Sequence, residues 1–212
     1  MDSVPIYCIN LESRPDRWER IIQRLSEHGL SAVRWNASTP TSCTVPCRPH
    51  LSPKERACSE SHFLLWKHIV ETEVPYSLIL EDDAVFRKDW IPITNAKLKE
   101  TGWDALFLNL SEPTFPLNEW VRSPGFCMAG AYIITNSTAK WLVDRFSTCI
   151  DIADGMTIQL QENLVCHTYF PWLVIQEGRD SNIQTNEHLS IVNHHIQRLL
   201  AMVNCPLSFY GF

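Results

Sequence analysis

The chain has 212 residues, 45% of them hydrophobic and 20% charged, enough for one well-buried α/β domain and marginal for two. A formal net charge of -6 argues against a nucleic-acid-binding surface, which needs clustered Lys and Arg. It leaves room for a phosphate-bearing ligand gripped through a divalent cation, because such cations take carboxylate ligands.

Pro5 to Leu11 predicts a first strand, built on the β-formers Ile6, Tyr7, Cys8 and Ile9. A helix follows, with Ser13 as its expected cap, Pro15 in its first turn and Asp16 at the positive end of its dipole. Trp18, Ile21, Ile22 and Leu25 share one face of it, and Gly29 ends it. A second strand is expected over Ala32 to Trp35. Residues 37–52, rich in Ser, Thr, Pro and Cys, read as a long loop. The spacing of Ser52 and Glu55 is that of a capping box, so a second helix should run from there to about Glu73. Tyr76 to Leu80 is a short apolar strand, expected near the centre of a sheet.

Beyond it, helices are expected over Ile93 to Glu100, Ser137 to Phe146 and residues 187–203, the last with Leu189, Val192, Ile196, Leu199 and Leu200 inward. Strands are expected over Ala105 to Asn109, Ala129 to Thr135 and Trp172 to Ile175, and residues 111–125, with three prolines, read as loop. Alternating strands and helices imply an α/β fold with a mostly parallel central sheet flanked by helices. One domain is expected over residues 1–212, alone or as part of a longer protein. The eight cysteines show no paired zinc-ligand spacing and are expected as free thiols. With no leader-like start and no span-length apolar run, the protein is expected to be soluble and intracellular.

Glu81, Asp82 and Asp83 follow the apolar run Leu78-Ile79-Leu80 directly. Ligands of open α/β sheets bind beyond the carboxyl ends of strands, and the triplet lies at one such end. Three adjacent negative charges repel one another, and nothing about ending a strand requires them. A hard divalent cation, Mg²⁺ or Mn²⁺, would relieve the repulsion. Residues at i and i+2 of an extended segment share a side, which pairs Glu81 with Asp83 as ligands and leaves Asp82 for a sugar hydroxyl or ribose. A solvated acidic turn is the competing reading.

The wider pattern is more specific. Ile6-Tyr7-Cys8-Ile9-Asn10-Leu11 with Arg14-Pro15-Asp16-Arg17 resembles the opening of glycosyltransferase family 25, which includes lipooligosaccharide and procollagen galactosyltransferases. In the same order, Ala57-Cys58-Ser59-Glu60-Ser61-His62 with Trp66, Leu80-Glu81-Asp82-Asp83-Ala84, Trp103-Asp104, Gly130-Ala131-Tyr132-Ile133-Ile134 and Pro171-Trp172-Leu173-Val174-Ile175-Gln176 resemble further motifs of that family. Ala57 stands where the family favours Gly, and Glu60 interrupts a usually apolar stretch. The short chain suits compact viral or bacterial members.

The resemblance implies a GT-A-like fold and a nucleoside-diphosphate sugar donor, uridine-based, with a divalent metal and a glycan or glycoprotein acceptor. It implies Glu81 and Asp83 as metal ligands, and Asn10, Leu11, Arg14, Arg17, Ser61, His62 and Asp82 around the donor. Asp154 is the implied general base of an inverting transfer, with Asp151 and Asp180 as rivals. Two other functions use the same features: a domain that holds a nucleotide sugar without turnover, and a metal-dependent phosphodiesterase or nucleotidyltransferase.

Overall fold

The computed structural model describes residues 1, 4–177 and 195–211. Its strands are β1 (Ile6–Asn10), β2 (Val33–Asn36), β3 (Tyr76–Glu81), β4 (Ala84–Phe86), β5 (Ala105–Phe107), β6 (Trp120–Arg122), β7 (Ala131–Thr135), β8 (Cys166–Tyr169) and β9 (Val174–Gln176). Its α-helices include α1 (Pro15–Ser26), α2 (Pro53–Thr72), α3 (Trp90–Leu98), α4 (Asn136–Phe146) and α5 (Ala153–Asn163). Residues 195–202 are also helical, and Ile196 and Leu200 are buried there as expected. Leu189 and Val192 of that expected helix lie outside the described residues.

Seven strands form one sheet in the order β2-β1-β3-β7-β5-β8-β6. β1 pairs in parallel with β2 and β3, and β5 with β8, while β7 and β6 run against their neighbours. Five of the seven strands therefore point one way, the mostly parallel α/β sheet that the sequence implies. Strand side chains alternate faces, and here the alternation divides two cores. Tyr7, Ile9, Ile79, Phe107, Tyr132 and Ile134 enter the core under α2, α4 and α5. Ile6, Cys8, Leu78, Leu80, Leu106 and Ile133 enter the opposite core, with Ile21 and Leu25 of α1 and Trp90 of α3. Covering both faces is what makes these strands continuous apolar runs.

Local chemistry sets the helix ends. Ser52 caps α2: its side chain accepts from the Glu55 backbone N–H, and the Glu55 carboxylate accepts from the Ser52 N–H. Glu73, in the left-handed region at φ 55°, ends the helix. Ser13 is not the cap of α1. The residue before a proline avoids helical backbone, so Arg14, preceding Pro15, takes that position, without a side-chain cap. Gly29, at φ 70°, lets the Leu30 N–H return to the Leu25 carbonyl at 3.0 Å.

Four of the described strands and α-helices were not expected: β4, β6, β8 and α5. The first two are three-residue strands, β6 lying in the proline-rich segment. α5 has only a short apolar stripe, Ala153, Met156 and Leu160, and shares its buried face with the polar Thr157 and Gln161. Gln161 is satisfied there by the Phe126 and Thr157 carbonyls at 2.9 and 3.1 Å. α3 starts three residues earlier than expected, at Trp90, with Pro92 tolerated in its first turn. β9 pairs with β4 in a separate two-stranded ribbon rather than joining the large sheet. That ribbon follows the acidic triplet directly, and the Glu177 N–H donates to the Asp83 carbonyl at 2.8 Å. No helix among the described residues is long and apolar enough to cross a membrane. All eight cysteines are free thiols.

Replacing Ser52 by Ala removes one half of the capping box. Denaturant unfolding should show a loss of about 1 kcal/mol, with the slope of the transition unchanged.

Candidate functional site

β1 and β3 are parallel neighbours, with Ile9 level with Glu81. The ends of these two strands therefore bring Asn10 and the acidic triplet together, although 72 residues separate Asn10 from Asp82. Glu81 is the last residue of β3, and Asp82 and Asp83 make the turn into β4.

Asp82 is held from two sides. Its Oδ2 accepts from Asn10 Nδ2 at 2.6 Å, and its Oδ1 is ion-paired with Arg17. Asn10 is fixed in turn: its Oδ1 accepts from Arg34 Nε at 2.9 Å and from the adjacent NH2 nitrogen at 2.6 Å, and its amide also donates to the Arg14 carbonyl. Arg34, on β2, lies over the Trp18 ring at 5.6 Å and donates to the Leu11 carbonyl at 3.1 Å. Sequence reading missed Arg34, because nothing in a local pattern marks a contact across two strands.

Arg17 is buried and turns its guanidinium onto the triplet, reaching Asp83 Oδ2 at 3.4 Å as well as Asp82. It is thus part of the acidic centre. Arg14 stands further out, forked onto Asp16 at 2.9 and 2.8 Å. Asp83 is the least compensated of the three acids. Its Oδ1 is buried with no hydrogen-bond partner among the described residues. Burial first, and then the charges of Glu81 and Asp82, push its carboxyl up to about 7 despite Arg17.

Glu81 faces α2. Its Oε1 is 3.3 Å from His62 Nε2 and 3.9 Å from the Cys58 thiol, and its Oε2 accepts from Gln176 at 2.8 Å. Burial pushes its carboxyl up, but the His62 hydrogen bond, with Arg17 and Cys58, more than offsets this and holds it below the usual range. Cys58, His62 and Glu81 each place one ligand atom within 4.8 Å of the others. Gly130 lies beside this cluster. A Cβ there would come within 2.8 Å of Gln176 Nε2 and 2.9 Å of Asn109 Nδ2, so only glycine lets both amides approach.

Ser61, expected near the donor, is used structurally. Its hydroxyl donates to the Ala57 carbonyl at 2.7 Å and accepts the Ser38 N–H at 2.8 Å. Glu60, the residue out of place in an apolar stretch, has the same job. Its buried carboxylate accepts the Thr44 and Val45 N–H groups at 3.0 and 2.8 Å, pinning the loop of residues 37–52 onto α2. Asp154, in the first turn of α5, is raised by burial and then by the charge of Glu81, and is hydrogen-bonded by the Ala129 and Met128 backbone. It belongs to the same acidic neighbourhood. Asp151 instead pairs outward, 3.6 Å from Arg48 and 3.6 Å from His50. Asp180 lies outside the described residues.

The raised Asp83 carboxyl has a consequence for stability. Between its ordinary value of 3.8 and about 7, the unfolded chain has released this proton while the folded chain retains it. The metal-free protein should therefore lose stability as pH rises through that window, and Asp83→Asn, neutral at every pH, should remove that share of the loss. Denaturant unfolding at about pH 5 and about pH 8 checks this: the variant gains on the wild type at the higher pH, whereas parallel profiles would contradict a buried, neutral Asp83.

With this geometry in place, three similarities are informative. The model of glycosyltransferase family 25 (LPS biosynthesis protein) matches residues 3–122. The chain is 26% identical over 176 residues to the lacto-N-neotetraose biosynthesis glycosyltransferase LgtB of Neisseria meningitidis, covering 66% of this chain and 61% of that protein. It is 29% identical over 99 residues to mouse procollagen galactosyltransferase 2, covering 38% and 16%. The chain spans about three fifths of the length of the bacterial relatives it matches. Because the family match takes in β1, the capped helix and the whole acidic triplet, the chain belongs to glycosyltransferase family 25.

Proposed function

We propose that the protein is a metal-dependent glycosyltransferase of GT-A type. It would move a sugar from a nucleoside-diphosphate donor, uridine-linked, to a hydroxyl of a glycan or glycoprotein acceptor. One observation carries the reading: a cluster of largely enclosed carboxylates at the carboxyl end of β3, in which Asp83 keeps a buried oxygen without a partner among the described residues.

A hard divalent cation, Mn²⁺ or Mg²⁺, fits this set. Asp83 Oδ1 is an orphaned acceptor, and the mutual repulsion that raises Asp83 is what such an ion relieves. Glu81 and Asp83 would hold it, and it would stabilise negative charge on the departing diphosphate. The remaining work falls to the chain itself. Arg17 takes up part of the charge of Asp82 and Asp83 and fixes their direction. Asn10, locked by Arg34, holds Asp82 in place for a ribose or sugar hydroxyl. Arg14 and the Leu11 segment border the same strand end, where a base and a phosphate would lie.

In an inverting transfer, Asp154 takes the acceptor hydroxyl proton as the acceptor oxygen bonds to the sugar's anomeric carbon. The bond from that carbon to the diphosphate breaks with its electron pair on the diphosphate oxygen. A carboxylate raised by burial and by Glu81 is a stronger base than an exposed one, which suits this role.

A thermal-shift series with uridine-diphosphate sugars, with and without Mn²⁺, tests the reading. At about 100 times Kd, sugar and metal together should raise Tm by about 5 °C or more, and neither alone should match that. Asp83→Ala should lose the metal-dependent part of the shift while still folding. Absence of a shift with every nucleoside-diphosphate sugar would remove the donor assignment. Asp154→Asn should keep the full shift and lower turnover by a factor of about 10² or more, and unimpaired turnover would take the base elsewhere.

A further inference from the structure

The Glu81 carboxylate is met from inside the protein by a chain of buried groups to which the proposed function gives no role. Trp66 Nε1–H donates to the Tyr132 hydroxyl oxygen at 2.9 Å. The same hydroxyl lies 2.9 Å from His62 Nδ1, and His62 Nε2 lies 3.3 Å from Glu81 Oε1. Trp66, His62 and Tyr132 are all fully buried.

The direction of this chain follows from counting protons. An indole N–H can only donate, so the Tyr132 oxygen accepts from Trp66. The tyrosine's own proton then has one acceptor within reach, His62 Nδ1. Reversing that bond would leave the hydroxyl proton buried without a partner, at a cost of about 1–3 kcal/mol. His62 therefore carries its proton on Nε2 and donates it to Glu81. On the other side of the carboxylate, Gln176 donates to Oε2 at 2.8 Å, an approach that the missing Cβ of Gly130 allows.

We infer that His62, set in one tautomer by Tyr132 and Trp66, is a positioning residue that works with Gln176 to fix the Glu81 carboxylate as an oriented cation ligand, rather than a contact to the sugar donor. The inference rests on the metal reading given above. Oε1 receives His62 and, more weakly, the Cys58 thiol, whereas Oε2 receives Gln176 alone; a carboxylate oxygen can accept a second bond, so Oε2 keeps capacity for a cation. Two donors also restrict rotation of the carboxylate, so its direction is set before a cation arrives. Partners of this kind, behind a ligand, typically contribute 10- to 100-fold to metal affinity.

The same atoms admit one rival arrangement. Cys58, His62 and Glu81 are close enough to grip a thiophilic cation directly. That would need a bare Nε2 and an ionised Cys58 thiol. The proton order derived from Trp66 and Tyr132 opposes the first requirement.

Three measurements on the whole chain decide the matter. The first is ¹⁵N NMR of the imidazole in the metal-free wild type, which reads the tautomer with no dependence on metal or activity. His62 should show a protonated Nε2 and a bare Nδ1, and the opposite pattern would overturn the inference. The second is Mn²⁺ affinity, read from the electron paramagnetic resonance signal of the free ion. His62→Leu should weaken Mn²⁺ about tenfold or more. His62→Gln, whose amide can still donate near the Nε2 position, should recover most of that loss. A role in packing alone predicts no such rescue, and wild-type affinity in His62→Leu would contradict positioning. If the wild type binds no Mn²⁺ at all, the metal reading fails and the positioning role with it, while the tautomer result still stands or falls by itself. A zinc titration gives the remaining arm: tight Zn²⁺ binding abolished by Cys58→Ser would replace the inference with the rival site.

Discussion

Three carboxylates stand side by side at the end of a buried strand, and one guanidinium, that of Arg17, lies across two of them. Burial removes the water that would otherwise screen their repulsion. Each acid meets the constraint differently. Asp82 is neutralised and tied down by Arg17 and Asn10. Glu81 is held by donors from α2 and β9. Asp83 keeps an unpartnered oxygen and a carboxyl that gives up its proton reluctantly. The proposed cation completes this pattern, because it would occupy the place where the protein's own compensation runs out.

The fold supports this centre by ordinary means. Alternation along β1, β3, β5 and β7 sends side chains into two separate cores, so the strands are fixed from both faces and their ends are well defined. α2 is the unusual element, because Ser59, Glu60, Ser61 and His62 are buried in succession. Buried polar side chains need hydrogen-bond partners, and three of these four find them, while Ser59 Oγ has none among the described residues. Here Glu60 and Ser61 hold the loop of residues 37–52, and His62 faces Glu81. One turn of helix thus connects a long surface loop to the acidic centre. The β4–β9 ribbon closes the other side, placing Gln176 against Glu81.

Much of this was legible in the sequence where the cause is local. The apolar run of β1, the capping box of Ser52 and Glu55, and the step from Leu80 to Glu81 each carry their own signal within a few residues. What was hidden depends on contacts between distant segments. Arg34 matters because β2 lies beside β1, and Gln176 because β9 folds back onto β4. α5 was hidden because polar Thr157 and Gln161, the latter satisfied by hydrogen bonds, interrupt the short apolar stripe on its buried face. Ser61 and His62, expected around the donor, make contacts that no local pattern shows. Their side chains serve the frame of the site: one ties down a loop and the other faces a carboxylate. Ser13 was an error of local rule, since the restriction imposed by Pro15 acts on Arg14.

The central claim is that Glu81 and Asp83 form a cation site at the end of β3. The most direct measurement is anomalous diffraction at the manganese absorption edge, from crystals of the protein grown with Mn²⁺. The account predicts one strong peak between the Glu81 and Asp83 carboxylates, with Arg17 still paired to Asp82. A peak among Cys58, His62 and Glu81, or none near the triplet at a saturating concentration, would contradict it.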